Sequence, residues 1–339
     1  MKTKLPGIVL SGLIALIASQ VGRYIPLLGG PIMAIALGAI IGNYVRLPVS
    51  FQPGLKFSSK VILQAAIVLL GFGLNLSVIL KTGWDSLPII VSTISAALIT
   101  ALVLQKLWKL DVQLATLIGV GSSICGGSAI AATAPVIQAD DQDVAQSISV
   151  IFFYNLLAAI LFPLLGGWLG FSGASGEAFG MFAGTAVNDT SSVTAAATVW
   201  DNLHHLGSET LDYAVTVKLT RTLFIIPITL GLSLWRAKQD GGPSTSKAWY
   251  QHVPRFLLLF LGASLITSLL SFLNITLAGL SLLKQVSRFF IVMAMGAIGL
   301  NTNLRQLIHS GSKPLLLGLA CWVVITLTSL GLQHILGIW

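Results

Sequence analysis

Charge is scarce in this sequence: 9% of its 339 residues are Asp, Glu, Lys or Arg, against 55% that are apolar. Soluble domains carry roughly 25% charged residues, so the usual water-exposed surface is excluded and an integral membrane protein is implied. Acidic residues are the rarest, eleven against nineteen Lys and Arg. The net charge of +8 does not indicate a nucleic-acid partner. The basic residues sit in short loops between apolar runs, the pattern that records orientation in a lipid bilayer. The two cysteines, Cys125 and Cys321, lie in apolar context, which excludes a disulfide framework. Long polar stretches are missing, so no separate soluble domain is expected; 238–249 alone has linker composition. There is no His-Glu-x-x-His pair and no Walker loop, and 170–174 lacks the spacing of a nucleophile elbow. The acidic run Asp140-Asp141-Gln142-Asp143 stops short of a metal-diphosphate motif and has no second copy. Neither an enzyme nor a metal or organic cofactor is expected.

What is present is apolar sequence in lengths that fit a bilayer. Spanning helices need about 20 such residues. Eleven segments qualify: 5–22, 27–45, 57–80, 85–107, 112–138, 143–169, 176–200, 209–236, 252–273, 281–305 and 314–336. The expected fold is an all-α polytopic membrane protein, with 1–339 as one integral domain. The stretch at 20–23 is a poor cleavage site, so the first segment is read as an uncleaved helix. Lys2, Lys4, Arg46, Lys56, Lys60, Lys106, Lys109, Arg236, Lys238, Lys247, Arg255, Arg305 and Lys313 fall on one side of the bilayer. If every span crosses, Asp140, Asp141 and Asp143, and later Asp201, Glu209 and Asp212, fall on the other. The basic side faces the cytoplasm, which places the chain in the inner (plasma) membrane, N-terminus inside and C-terminus outside. Whether copies assemble into a homo-oligomer is left open.

Two internal repeats interrupt these runs. A shift of 63 carries 121–137 (GSSICGGSAIAATAPVI) onto 184–200 (GTAVNDTSSVTAAATVW). Each breaks an apolar run with small polar residues and then resumes as a helix. Backbone exposed in this way at mid-membrane is tolerated only where it lines a site or cavity. If both segments cross the bilayer they run parallel; if both are re-entrant hairpins they are inverted. Crossing, broken helices are the preferred expectation. A shift of 226 carries Gly73-Leu74-Asn75 and Pro88 onto Gly299-Leu300-Asn301 and Pro314. Those two copies point oppositely through the bilayer, as in the inverted repeats of secondary transporters.

The candidate site follows from these breaks. Ser122, Ser123, Gly126, Gly127 and Ser128 offer backbone dipoles to an anion at a half-helix start, or close helix packing instead. Asn188, Asp189, Thr190 and Ser191 form the second break. An intramembrane carboxylate pairs, binds a cation or relays a proton, so Asp189 is the candidate coupling group; it is equally suited to cap the helix that follows. Lys218 and Arg221 share a helix face, with Arg221 about 15–18 Å from that helix's start. Such a cation needs an internal partner, either a bound anion or Asp189. Asn75 and Asn301 are expected to line the cavity or to tie helices together. Tyr154 and Asn155 are weaker candidates. His204 and His205 are expected in solvent, and Lys284 and Arg288 among lipid headgroups.

The runs 119–132 (GVGSSICGGSAIAA), 184–193 (GTAVNDTSSV) and 217–221 (VKLTR) resemble the YeiH-type membrane protein family, to which sulfate export is ascribed. The resemblance covers essentially the whole chain. More distantly, 70–80 with Pro88, then Cys125-Gly126-Gly127-Ser128, is similar to the bile-acid:sodium symporter and cation:proton antiporter superfamily. That likeness implies a panel domain, a core with crossed discontinuous helices, and an elevator or rocking motion. The second break departs from the superfamily pattern by falling early, at 184–192, and the span ending at 296–301 rivals it. Sodium ligands therefore do not carry over by position. The functional expectation is a secondary transporter of a small anion, sulfate or an organic sulfonate or carboxylate, coupled to H⁺ or Na⁺. The alternatives are an importer with Asp189 as the ion ligand, and a channel or non-transporting sensor.

Overall fold

In hydrocarbon every backbone polar group must be bonded internally, and a helix does this within one segment. The computed structural model describes residues 4–24, 29–45, 47–240, 255–273, 279–302 and 311–339, and every regular element among them is helical. Most of the expected linker at 238–249 lies outside the described residues, as do Lys2, Arg46, Lys247 and Arg305. The chain begins with α1 (Leu5–Tyr24), α2 (Gly29–Tyr44), α3 (Gln52–Phe57), α4 (Leu63–Gly71), α5 (Leu76–Trp108), α6 (Val112–Ser123) and α7 (Gly127–Ile137). Next come α8 (Asp141–Leu169), α9 (Glu177–Ala186), α10 (Thr190–His204), α11 (Glu209–Thr222) and α12 (Ile225–Asp240). The last three are α13 (Arg255–Phe272), α14 (Leu280–Asn301) and α15 (Ser312–Ile335). A π-helical turn, Ser58–Ile62, joins α3 to α4. Among the described residues, eight helical stretches are long and apolar enough to cross a membrane. The other three of the eleven expected segments are α2, which is shorter, and the pairs α6–α7 and α9–α10.

The helices sort into two bundles. In one, α14 packs on α1, α2 and α4, and α13 on α4; in the other, α5 to α12 pack with α15. They meet chiefly where α10 lies against α2 and α14. Within the first bundle α2 and α14 touch backbone to backbone. A Cβ on Gly38 would lie 2.4 Å from the Gly296 carbonyl oxygen, and one on Gly299 would lie 2.3 Å from that of Ile35.

The two broken segments correct the preferred expectation. Neither continues through its break; both are re-entrant hairpins, so Asp140, Asp141 and Asp143 lie at the same end as Lys106 and Lys109 and not opposite them. Gln113 Oε1, at the start of α6, accepts a hydrogen bond from Asp140 N, just past the end of α7, at 3.4 Å. Leu114 and Ile137 accordingly share one apolar cluster. In the second hairpin the rings of Phe179 and Trp200 stack with centroids 4.2 Å apart. A Cβ on Gly173 would fall 2.2 Å from His204 Nδ1. The mouths of the hairpins lie at opposite ends of α8, whose 29 residues span about 43 Å. Local chemistry fixes the ends. Asp111 caps α6 by accepting from Gln113 N and Leu114 N at 2.7 and 3.1 Å, and Gln138 closes α7 in a left-handed conformation at φ 52°. The first tip turns on Gly126, at φ 71° and ψ −130°, a region that residues with a Cβ avoid.

Candidate functional site

A hairpin tip in the middle of a bundle strands the last carbonyls of its first helix and the first amides of its second. The two tips meet: a Cβ on Gly126 would lie 3.1 Å from Asp189 Cβ and 3.4 Å from Asn155 Nδ2. The stranded carbonyls are bonded by the two cations of α11. Lys218 Nζ donates to the carbonyls of Ile124 and Val187 at 2.7 and 2.8 Å, one from each hairpin. Arg221 donates from Nε to Ser123 O at 2.7 Å and from Nη2 to Ser122 O at 3.0 Å. Its Nη1 donates to Thr185 O at 2.5 Å and to Val187 O at 3.4 Å. Both side chains are 0% exposed. Helix carboxyl ends carry about half a negative charge each, so the cations sit against the two negative ends. The partners of Arg221 are therefore backbone carbonyls, not Asp189.

Asp189 caps the amino end of α10. One carboxylate oxygen accepts from Ser192 N at 3.0 Å, and the other accepts from the Ser191 hydroxyl. Asp189 also lines a small crevice of about 20 Å³ between the bundles. Asn155, Phe152, Leu156, Ser191 and Ser192 form its wall on the hairpin side, and Ile35, Met295, Ile298 and Thr302 its wall on the other. Asn155 is 3% exposed, and its Oδ1 has no hydrogen-bond partner. A buried amide oxygen without a donor is costly, and a cation or a protonated group would satisfy it.

The other expected residues take varied positions. Ser122 is buried with an unbonded hydroxyl, and Asn188 is buried with both amide atoms unbonded. Ser123 Oγ bonds the Val120 carbonyl at 3.1 Å. Ser128 is exposed, Gly127 and Thr190 are half-buried, and α7 begins without a side-chain cap. Asn75 is remote from the tips: it caps α5 by accepting from Ser77 N and accepts from Ser268 of α13, at 3.1 and 3.0 Å. Asn301 is exposed at the end of α14. His204 lies on Trp200 rather than free in solvent, with ring centroids 4.3 Å apart. Lys284 and Arg288 bond the loop between α10 and α11 instead of pointing to headgroups. Sequence reasoning missed the wall made by Ile35, Met295, Ile298 and Thr302, because apolar residues on distant helices give no local signal. It ranked Asn155 low because only the fold brings that residue to Asp189.

Comparison with known proteins agrees with this membrane architecture. The model of the family described as "Conserved hypothetical protein 698" matches residues 6–318. A UPF0324 membrane protein of Streptococcus pyogenes serotype M3 is 57% identical over 338 residues, covering 99% of this chain and 98% of the relative. One from Streptococcus mutans serotype c is 56% identical over 340 residues, with 99% and 98% covered. One from Fusobacterium nucleatum is 51% identical over 349 residues, with both chains covered to 100%. With its full length matched and its helices suited to a bilayer, the chain belongs to this family of UPF0324 membrane proteins, the YeiH-type family that its hairpin motifs resemble.

Proposed function

We propose that the protein is a secondary transporter that moves a small anion in company with H⁺ or Na⁺. The observation that carries this reading is that Asp189, at a hairpin tip, lines one crevice between two helix bundles together with Asn155, whose amide oxygen is buried and unbonded. A half-buried carboxylate that shares a crevice with an unbonded amide oxygen suits a coupling cation. The anion, sulfate or an organic sulfonate or carboxylate, is assigned to the amino end of α7. That end has no side-chain cap and presents Gly127 and Ser128, with Phe152 of the crevice 3.9 Å from where a Gly127 Cβ would stand. Uncapped amides at a helix start favour an anion. The corresponding end of α10 is already occupied by Asp189, so the two tips divide the work. Lys218 and Arg221 have their bonds committed to carbonyls; their part is to hold the tips together and make them electropositive.

A tetrahedral oxyanion does not fit 20 Å³, so loading requires the bundles to part. Hairpins that enter from opposite ends around one site are the inverted arrangement on which alternating access is built. The test is tracer flux of a panel of anions into proteoliposomes, with and without Na⁺ or pH gradients. Trans-stimulation by unlabelled anion is the expected mark of a carrier, and Asp189→Asn is expected to abolish the gradient dependence. Flux without trans-stimulation would make the protein a channel. Full gradient dependence in Asp189→Asn would remove Asp189 from the coupling role.

A further inference from the structure

Far from the crevice, at the other end of α14, a polar cluster joins the same two bundles. Lys284 Nζ pairs with Asp212 Oδ2 of α11 at 3.5 Å and reaches Ser208 Oγ at 3.4 Å. Ser208 Oγ itself donates to Asp212 Oδ2 at 3.1 Å. One turn along, Arg288 donates to the Gly207 carbonyl at 2.5 Å. The stem of Lys284 passes over Gly73, where a Cβ would come within 2.5 Å of Lys284 Cε; this gives the Gly-Leu-Asn repeat at 73–75 a physical reason for its glycine. Asp212 is buried, and its other oxygen, Oδ1, has no hydrogen-bond partner. Partly buried charges that fasten two bodies at one end, with a crevice between the same bodies at the other, have the layout of a latch. Eleven residues separate Lys284 from Met295 in the crevice wall, about 16 Å of helix. The crevice runs from Met295 to Thr302, toward the carboxyl end of α14.

We propose that the Lys284–Asp212 pair, with Arg288 on the Gly207 carbonyl, is the gate of the transport path on the α14 amino-terminal face. It is fastened while the crevice faces the opposite side, and it parts when the hairpin bundle moves to open this end. The gate rests on the two-bundle carrier reading, but it makes a claim that the reading does not contain: closure here and access at Thr302 are two signs of one state.

The experiment uses the full chain in proteoliposomes, with Thr302→Cys as reporter and a membrane-impermeant maleimide as probe; the unaltered chain measures any background from its buried cysteines. In Lys284→Glu or Asp212→Lys, Thr302→Cys labelling is expected to fall by about two- to fivefold, the range of population shift that loss of one partly exposed ion pair supports. The swap carrying both substitutions is expected to restore it. A pair that only stabilises the fold would lower the melting temperature in the single variants without reducing this labelling, and that result overturns the gate. Should the single variants fail to fold, Lys284→Cys with Asp212→Cys decides the matter. Bridging the two thiols with a reducible bifunctional methanethiosulfonate that replaces the reach of the lysine side chain is expected to stop radiolabelled sulfate flux and reduction to restore it; bridged protein that still transports overturns the gate. Counterflow by the unaltered chain tests the carrier reading separately. If counterflow is absent, that reading falls while the labelling still reports the gate; if it is present with unchanged labelling, only the gate falls.

Discussion

Replacing Arg221 by Ala separates two roles that a buried arginine beside a hairpin tip could have. Its guanidinium bonds the carbonyls of Ser122, Ser123, Thr185 and Val187, and the side chain is 0% exposed. Each buried acceptor left without a donor costs about 1–3 kcal/mol, and breaking one partner of a buried charged assembly costs about 3–5 kcal/mol. Val187 keeps its bond from Lys218, and water admitted by the truncation relieves part of the rest, so a net loss of about 3–5 kcal/mol is expected. At about 2 °C per kcal/mol, the melting temperature in detergent or lipid should fall by about 6–10 °C. Arg221→Lys should lose less than Arg221→Ala, because the ammonium keeps a charged donor, but it should not match the parent, because the planar fork is replaced by a single point of donation. Lys218→Met combined with Arg221→Ala should cost more than the sum of the two, because either cation alone keeps the Val187 carbonyl bonded and only the double loss strands it. If Arg221→Ala melted within about 2 °C of the parent while losing anion affinity, the carbonyl ties would be energetically idle and Arg221 would be an anion ligand.

Three further outcomes follow from particular contacts. Cysteines placed singly at Gln113 and Asp141 should be labelled by an impermeant reagent from one side of the membrane, and those at Ser172 and His205 from the other; labelling of Gln113 and Asp141 from opposite sides would restore a crossing helix. Gly299→Ala should lower the melting temperature by several degrees, because overpacking costs about 1–3 kcal/mol and the added carbon would stand 2.3 Å from the Ile35 carbonyl oxygen; an unchanged melting curve would mean that α2 and α14 separate freely. Asp201 accepts from Thr210 N and Leu211 N at 2.9 and 3.0 Å, so Asp201→Ala should cost about 1–2 kcal/mol as a lost cap, read as faster hydrogen–deuterium exchange at the start of α11.

Much of the architecture is legible in the sequence because bilayer thickness turns apolar length into helices. The places where the helices fail are legible too: Gly126 and Asp189 stand where the chain turns. The direction after each turn is not. A broken helix and a hairpin share the same local composition, and the contacts that decide between them, Gln113 to Asp140 and Gly173 to His204, join residues about thirty positions apart. The same limit applies to the cations. Depth along α11 marks Lys218 and Arg221 as internally bonded, but helix geometry does not reveal that the partners are carbonyls of two other segments. Asp189 reads as a cap from its neighbours alone, because that bond is local. Its crevice depends on α14, roughly a hundred residues away.

The seam between α2 and α14 has a consequence for leakage. Where Gly38 meets Gly296 and Gly299, and Gly42 meets Leu300, main chain lies on main chain with no side chain to yield. Such a pair resists bending and slippage, so α14 behaves as a stiff strut whose two ends cannot be displaced independently. Lys284 is fixed to one end and the Met295–Thr302 wall to the other. If the Lys284–Asp212 pair is the gate proposed above, a tilt that unfastens the first end presses the second shut, and the bilayer never meets a pore open from end to end.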